Sequence, residues 1–333
     1  MLTDTSPQPT VTATGVMRAA VIAAPRRTSI DQVNVPEPGP GEVRVRLEGC
    51  GVCGSNLPAW EGRSWFQYPT EPGSPGHEGW GTIDALGEGV TGLAVGQRVA
   101  ALAYRSYAEY DIAGAHAVVP LPDQLAGQYF PGEPLGCAVN IYRRSDVGTG
   151  QTVVIIGIGF LGAILTRLVS RAGARVIAIS RRPFALEIAR EMGADVCLPL
   201  DNHERIISDV QQLTKGQGAD RVIEAVGSQW PLDLAGELTR IRGRLIIAGY
   251  HQDGPRQVNM QMWNWRGLDV VNAHERDPAV YIEGIRGAVE AVASGVLNPS
   301  RLYTHTFPLE QIDRAFQVME ERPDGFLKAL VLT

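Results

Sequence analysis

The amino-acid sequence points to an α/β fold, with a doubly wound parallel sheet and a second, mostly antiparallel β domain. Three observations carry this. A glycine-rich turn lies between a buried strand and an amphipathic helix. Strands and helices alternate from about residue 138 onward. Fourteen of the 22 prolines fall before residue 140, so long helices are scarce there.

Thr152–Ile156 is a run too apolar for an edge strand. The turn follows as Gly157-Ile158-Gly159-Phe160-Leu161-Gly162. Leu161, Ile164, Leu165, Leu168 and Val169 then make the i, i+3, i+4 stripe of a helix packed on a sheet. Arg175–Ile179 is a second buried strand. In this context Gly-x-Gly-x-x-Gly predicts a dinucleotide site. Gly157 permits the tight turn, Gly159 lets backbone approach a pyrophosphate, and Gly162 lets helix and strand pack closely. Phe160 and Leu161 complete the turn at the helix N-terminus, which faces the negative charge.

The remaining elements follow the same patterns. Met17–Ala23 and Glu42–Glu48 read as strands, the second with Val43, Val45 and Leu47 on one face. Pro183–Met192 reads as a helix with proline in its first turn. Val196–Leu198 is a short strand, and Asp201–Leu213 a helix capped by Asp201 or Asn202. Arg221–Glu224 is a strand, Leu232–Ile241 a helix, Arg244–Ala248 a strand and Leu268–Val271 a sixth. Val280–Ala293 is a helix, and the stretch from Tyr303 to Pro308 is assigned back to the first domain. The expected division is a loose tail over 1–16, a catalytic domain over 17–137 and 275–333, and an inserted nucleotide domain over 138–274.

Composition narrows the function. The 333 residues carry a net charge of −6 and no long basic run, which argues against nucleic acid or an anionic membrane as partner. No apolar stretch reaches spanning length, and residues 1–15 lack the pattern of a signal peptide. Four unevenly spaced cysteines, Cys50, Cys53, Cys137 and Cys197, suit reduced thiols or metal ligands in the cytoplasm.

The order Gly-Val-Cys53-Gly-Ser55, Pro-Gly-His77-Glu78-Gly-x-Gly, Val-Gly-x-Arg-Val, Cys137-Ala-x-Asn and Gly-x-Gly-x-x-Gly resembles the zinc-containing medium-chain dehydrogenase/reductase family, from about Met17 to the C-terminus. The resemblance implies a GroES-like catalytic domain beside the Rossmann domain. It implies one catalytic zinc per chain held by Cys53, His77 and Cys137, with Glu78 able to approach the metal. It implies Ser55 at the substrate hydroxyl, and Lys328 at a basic position that contacts the cofactor pyrophosphate. Three departures stand out. No cysteine lies between 54 and 136, so the structural-zinc lobe of many relatives is missing. Asn56 replaces an aspartate that orients a histidine ligand. Pro58 replaces a relay histidine and cannot transfer protons.

The second strand ends in Ser180-Arg181-Arg182, where NAD-selective enzymes usually place an acid. Two guanidiniums there favour the 2′-phosphate of NADP(H) over NAD(H). Trp60, soon after the first ligand, is expected to wall a pocket for a small alcohol or carbonyl, such as a hydroxylated or cyclic alcohol. A homodimer or homotetramer is expected, with Arg256–Met260 adding strand to strand across a two-fold axis. Two rival readings are a zinc-free double-bond reductase of the same fold and a catalytically silent nucleotide-binding protein.

Overall fold

The computed structural model describes residues 15–333. Of the tail expected over 1–16, residues 1–14 lie outside the described part, and Val16 already belongs to a strand. Strands β1 (Val16–Ala24) and β2 (Arg27–Asn34) form a two-stranded antiparallel sheet. After β3 (Glu42–Gly51) come a short helix α1 (Leu57–Glu61) and strands β4 (Gly79–Leu86), β5 (Arg98–Ala101), β6 (Tyr110–Gly114) and β7 (Val118–Pro120). Helix α2 (Gly132–Ser145) leads into β8 (Thr152–Ile156), α3 (Phe160–Arg171), β9 (Arg175–Ser180), α4 (Pro183–Glu191) and β10 (Val196–Pro199). The second half runs α5 (His203–Leu213), β11 (Ala219–Glu224), α6 (Gln229–Leu238), β12 (Thr239–Ile247), α7 (Met260–Arg266) and β13 (Asp269–Asn272). The chain closes with α8 (Pro278–Ala293), β14 (Tyr303–Pro308), α9 (Ile312–Glu321) and β15 (Lys328–Leu332).

Strands β8 to β13 form one parallel sheet in the order β10-β9-β8-β11-β12-β13. The order reverses between β8 and β11, which is where an open α/β sheet holds its ligand, at the carboxyl ends of the strands. The other large sheet has the order β14-β15-β3-β4-β5-β7, with β6 also paired to β3. It is antiparallel except for the β14–β15 pair. Strand β15 enters beside β3, so the C-terminal segment does return to the first sheet. Val43, Val45 and Leu47 share a buried face, as their alternation requires.

Helix α2 joins the two halves. Leu135 and Val139 belong to one apolar cluster with Trp80 and Ala100 on one side and Val153 and Ile155 on the other. A Cβ on Gly136 would lie 2.7 Å from Ile285 N, and one on Gly284 2.6 Å from Gly136 O. Glycine at both positions therefore lets α2 and α8 approach backbone to backbone. The boundary expected between 137 and 138 falls inside this helix.

Two local expectations change. The helix read over Leu232–Ile241 ends at Leu238, and Thr239–Ile247 is strand. The β-branched Thr239 and Ile241 belong to β12, whose register against β11 shifts around Arg242, which adopts a φ of 55°. The stretch from Arg256 to Met260 is not a strand. It runs into α7, and β13 forms the edge of the parallel sheet. No helix among the described residues is long and apolar enough to cross a membrane.

Candidate active site

The loop after β3 and the approach to β4 bring three donor groups together. The ligand atoms of Cys53, His77 and Glu78 all lie within 4.8 Å of one another. Asn56 holds this corner. Its Oδ1 accepts from the Tyr107 hydroxyl at 2.7 Å and from Cys53 N at 3.1 Å. Two donors on one atom fix that atom as the carbonyl oxygen, so the amide nitrogen faces His77. Nδ2 donates to Pro75 O at 3.0 Å and lies 3.3 Å from His77 Nδ1. His77 Nδ1 in turn lies 2.9 Å from Pro75 O. The imidazole thus gives its Nδ1 proton to a backbone carbonyl and keeps Nε2 for a metal, the outer-shell arrangement typical of ligating histidines. Asn56 orients the ring through Pro75, not by accepting from it.

The charges suit a cation. Burial opposes the His77 imidazolium, yet the hydrogen-bonded Cys53 side chain and the charges of Cys53, Glu133 and Glu78 push its pKa up to about 10. Thiolate, imidazole and carboxylate in this proximity are a recognised zinc donor set, and the residues fit the metal.

Lys328 lies next to these donors. It is buried on β15, between β14 and β3, with its ammonium 2.6 Å and 2.5 Å from the two oxygens of Glu78. It also donates to Val52 O at 3.0 Å. Burial works against its charge, but Glu78 and then Cys53 keep its pKa above the usual lysine value. A Cβ on Gly51 would fall 1.8 Å from Glu78 Oε2, so glycine there makes room for the pair. The same ammonium lies 5.2 Å from the centre of the Phe160 ring, in the glycine-rich turn.

Cys137 does not join the three-residue group. Its thiol donates to Glu133 Oε1 at 3.1 Å, one helical turn back on α2. Burial first, and Glu133 next, hold the thiol well above its ordinary pKa. Glu133 is itself buried, and burial raises its pKa against the opposing charge of His77. Sequence reasoning missed Glu133, whose signal was an acid four residues before a candidate ligand on one helix face. It also missed Tyr281, next to Val280, whose carbonyl accepts from Asn140 Nδ2 at 2.9 Å. Burial, then Cys137 and Glu133, raise its phenol pKa.

Trp60 corrects the expected substrate wall. It is 0 % exposed, its Nε1 donates to Asp313 Oδ1 at 2.8 Å, and its ring packs on Phe316 at 5.7 Å. Helix α1 turns it inward against α9, away from any cleft. Pro58 is buried on the same helix. Ser55 remains partly exposed, with its hydroxyl 3.2 Å from Cys53 Sγ.

The glycine-rich turn has the expected shape. Gly157 has a φ of 97°, and a Cβ there would lie 2.5 Å from Val226 Cγ2. A Cβ on Gly162 would lie 2.0 Å from Gly157 O. On Gly159 it would meet nothing within 4 Å, leaving open space at the N-terminus of α3. Ser180 is buried at the end of β9 and Arg181 is exposed. Arg182 caps α4, where its guanidinium donates to Phe326 O and, at 3.4 Å, to Ile158 O.

A second polar chain lies at the carboxyl end of β11, beside the glycine-rich turn. Glu224, fully buried at the end of β11, accepts from Val226 N and Gly227 N at 2.7 and 2.8 Å. Its other oxygen is 3.0 Å from His251 Nε2, and Arg256 Nε donates to His251 Nδ1 at 2.8 Å. His251 is therefore the Nε2–H tautomer, pinning the loop after β12.

Comparison with known proteins gives the family. Residues 39–155 match the family description "Alcohol dehydrogenase GroES-like domain", and residues 161–290 match "Zinc-binding dehydrogenase". The chain belongs to the zinc-type medium-chain dehydrogenase/reductase family. Within this family it is 27 % identical to an alcohol dehydrogenase of Cupriavidus necator, over 96 % of this chain and 99 % of that one. It is 28 % identical to the sorbitol dehydrogenase of Gallus gallus, over 92 % and 94 %. It superposes on an Escherichia coli alcohol dehydrogenase solved with NADH with a TM-score of 0.83, at 25 % identity, covering 96 % and 99 % of the two chains.

Proposed function

We propose that this chain is a zinc-dependent, NADP(H)-linked alcohol dehydrogenase or carbonyl reductase acting on a small hydroxylated substrate. Family membership supports a nicotinamide-linked alcohol oxidoreductase. The observation that carries the fuller reading is the chain Glu78–Lys328–Phe160. It sets the cysteine, histidine and carboxylate donors directly beside the glycine-rich turn.

Cys53, His77 and Glu78 would hold zinc, with Cys137 and Glu133 approaching from α2. When bound, zinc supplies Lewis-acid polarisation of the substrate oxygen. Ser55 Oγ, beside Cys53, receives or returns the hydroxyl proton. Pro58 has no atom that can pass it on, so the proton leaves to water in the cleft. Arg181 meets the 2′-phosphate at the end of β9, where no carboxylate repels it. The exposed edge strand β13, with Val270 outward, offers its main chain to a second copy in a homodimer or homotetramer.

The test is hydride transfer from NADPH to a panel of carbonyls, before and after chelation, with metal analysis. About one zinc per chain is expected, with activity lost on removal and regained on zinc addition. Transfer that survives complete zinc removal would favour the double-bond reductase. No transfer at full zinc occupancy would favour the silent binding protein.

A further inference from the structure

We propose that Arg322, at the C-terminal end of α9, is a cofactor-binding residue that receives the pyrophosphate from the catalytic-domain side. The proposal rests on the nicotinamide-linked reading above and names the cation that site still requires.

A pyrophosphate laid over Gly159 meets main-chain N–H groups and the positive end of α3 on one wall only. The lysine that the sequence assigns to the opposite wall is committed, because Lys328 is buried and paired with Glu78. Its ammonium is turned toward Glu78, which leaves a place on that wall for a second cation.

Arg322 occupies the required place. Arg182 donates to Phe326 O on one side and to Ile158 O on the other, which draws the segment 322–326 against the glycine-rich turn. Arg322 opens that segment. Its backbone N–H donates to Val318 O at 2.9 Å, and its Nε to Met319 O at 3.3 Å. Its two terminal nitrogens have no hydrogen-bond partner among the described residues. One of them lies 3.9 Å from where a Cβ on Gly54 would stand, immediately after Cys53. A Cβ there would be in ordinary van der Waals contact with the guanidinium.

Arg322 therefore reaches from the edge of the dinucleotide turn to the loop that carries Cys53 and Ser55. A pyrophosphate lies between the adenosine end of the cofactor, at Ser180, and the nicotinamide end, beside the metal donors. That interval is the one Arg322 spans. The surrounding charge is predominantly positive, although Asp324 acts on Arg182. Among the described residues no carboxylate forms an ion pair with Arg181, Arg182 or Arg322. Arg322 is exposed, and the nearby charge of Arg181 works against its own. Three guanidiniums that oppose one another are relieved by an anion between them.

The experiment compares Arg322→Asn and Arg322→Lys with the wild type by fluorescence titration of the zinc-loaded protein with NADPH and with NADH. Arg322 has a φ of 47°, a conformation asparagine tolerates, so Arg322→Asn removes the charge without forcing the turn. Both cofactors carry the pyrophosphate. The expected result is a rise in Kd by the same factor for each, roughly 10- to 100-fold, the range of a lost charge-assisted contact. Arg322→Lys should recover most of the affinity, which a purely structural role at the helix end would not produce. Unchanged affinities in Arg322→Asn would overturn the proposal. So would weakening of NADPH alone, which would move Arg322 to the 2′-phosphate. In either case a wild type that binds both cofactors leaves the nicotinamide-linked reading intact. A wild type that binds neither sinks both.

Discussion

The ammonium of Lys328 lies 2.6 Å from Glu78 Oε1, and both side chains are buried, 250 residues apart in sequence. A buried pair gains little over apolar residues of the same volume, but breaking it strands a charge. Lys328→Met should therefore cost about 3–5 kcal/mol in urea unfolding, and Glu78→Gln a similar amount. The double variant should lose far less than the sum. Gly51→Ala should resemble the single variants, because its methyl would overlap Glu78 Oε2. Additive losses in the double variant would show that the two groups do not depend on each other.

Trp60 is a stability residue on this geometry. Trp60→Ala should cost about 3–5 kcal/mol, as for other large buried aromatics. Trp60→Phe should lose the hydrogen bond to Asp313, worth about 1.5–3 kcal/mol to a charged acceptor. Neither variant, where folded, should change KM for the substrate by more than about twofold. A KM that rises with unaltered unfolding would return Trp60 to the pocket wall.

Arg181 and Arg182 should separate in cofactor selectivity. Arg181 is exposed at the end of β9 and free to meet a 2′-phosphate, whereas Arg182 ties Ile158 to Phe326. Arg181→Ala is expected to weaken NADPH by about 1.5–3 kcal/mol and leave NADH almost unchanged. Arg182→Ala should weaken both, by loosening the contact between the two walls of the cleft. Titration with each cofactor checks this, and an initial preference for NADH would reject the phosphate clamp.

What the sequence disclosed and what it hid follow from the range of each interaction. The demands on Gly157, Gly159 and Gly162 are local, so their spacing between two flanking strands predicts the turn, and the turn has the expected shape. The grouping of Cys53 and His77 was legible only through a family motif. His77 lies 24 residues beyond Cys53, and nothing local requires them to meet. Trp60 misled because an aromatic close to a ligand in sequence carries no information about direction. Helix α1 points it into the core, where Asp313 awaits its N–H. The pairing of Lys328 with Glu78 was hidden for another reason: the two lie 250 residues apart until β15 pairs with β3 and buries the lysine. Glu133 stayed hidden because an acid in the first turn of a helix is ordinarily solvated. Here α2 is covered by α8 along the contact made by Gly136 and Gly284.

The proposed proton path is tested at Ser55. Its hydroxyl lies 3.2 Å from Cys53 Sγ and is partly exposed, so it can turn from the sulfur to a substrate oxygen. Pro58 is buried and cannot relay. Ser55→Ala should lower single-turnover hydride transfer within the roughly 10²–10⁴-fold range of positioned proton transfer. Zinc content should stay at the wild-type level, because Cys53, His77 and Glu78 keep their supports in Asn56, Pro75 and Lys328. Ser55→Thr should retain most of the rate, since it keeps the hydroxyl. Pro58→His would place an imidazole inside the packed face of α1, so it should reduce stability without raising the rate. Single-turnover rates of the three variants across pH, with metal analysis of each, make the comparison. A Ser55→Ala enzyme as fast as wild type would take the serine out of the mechanism and leave Glu133, beside Cys137, as the next proton acceptor to test.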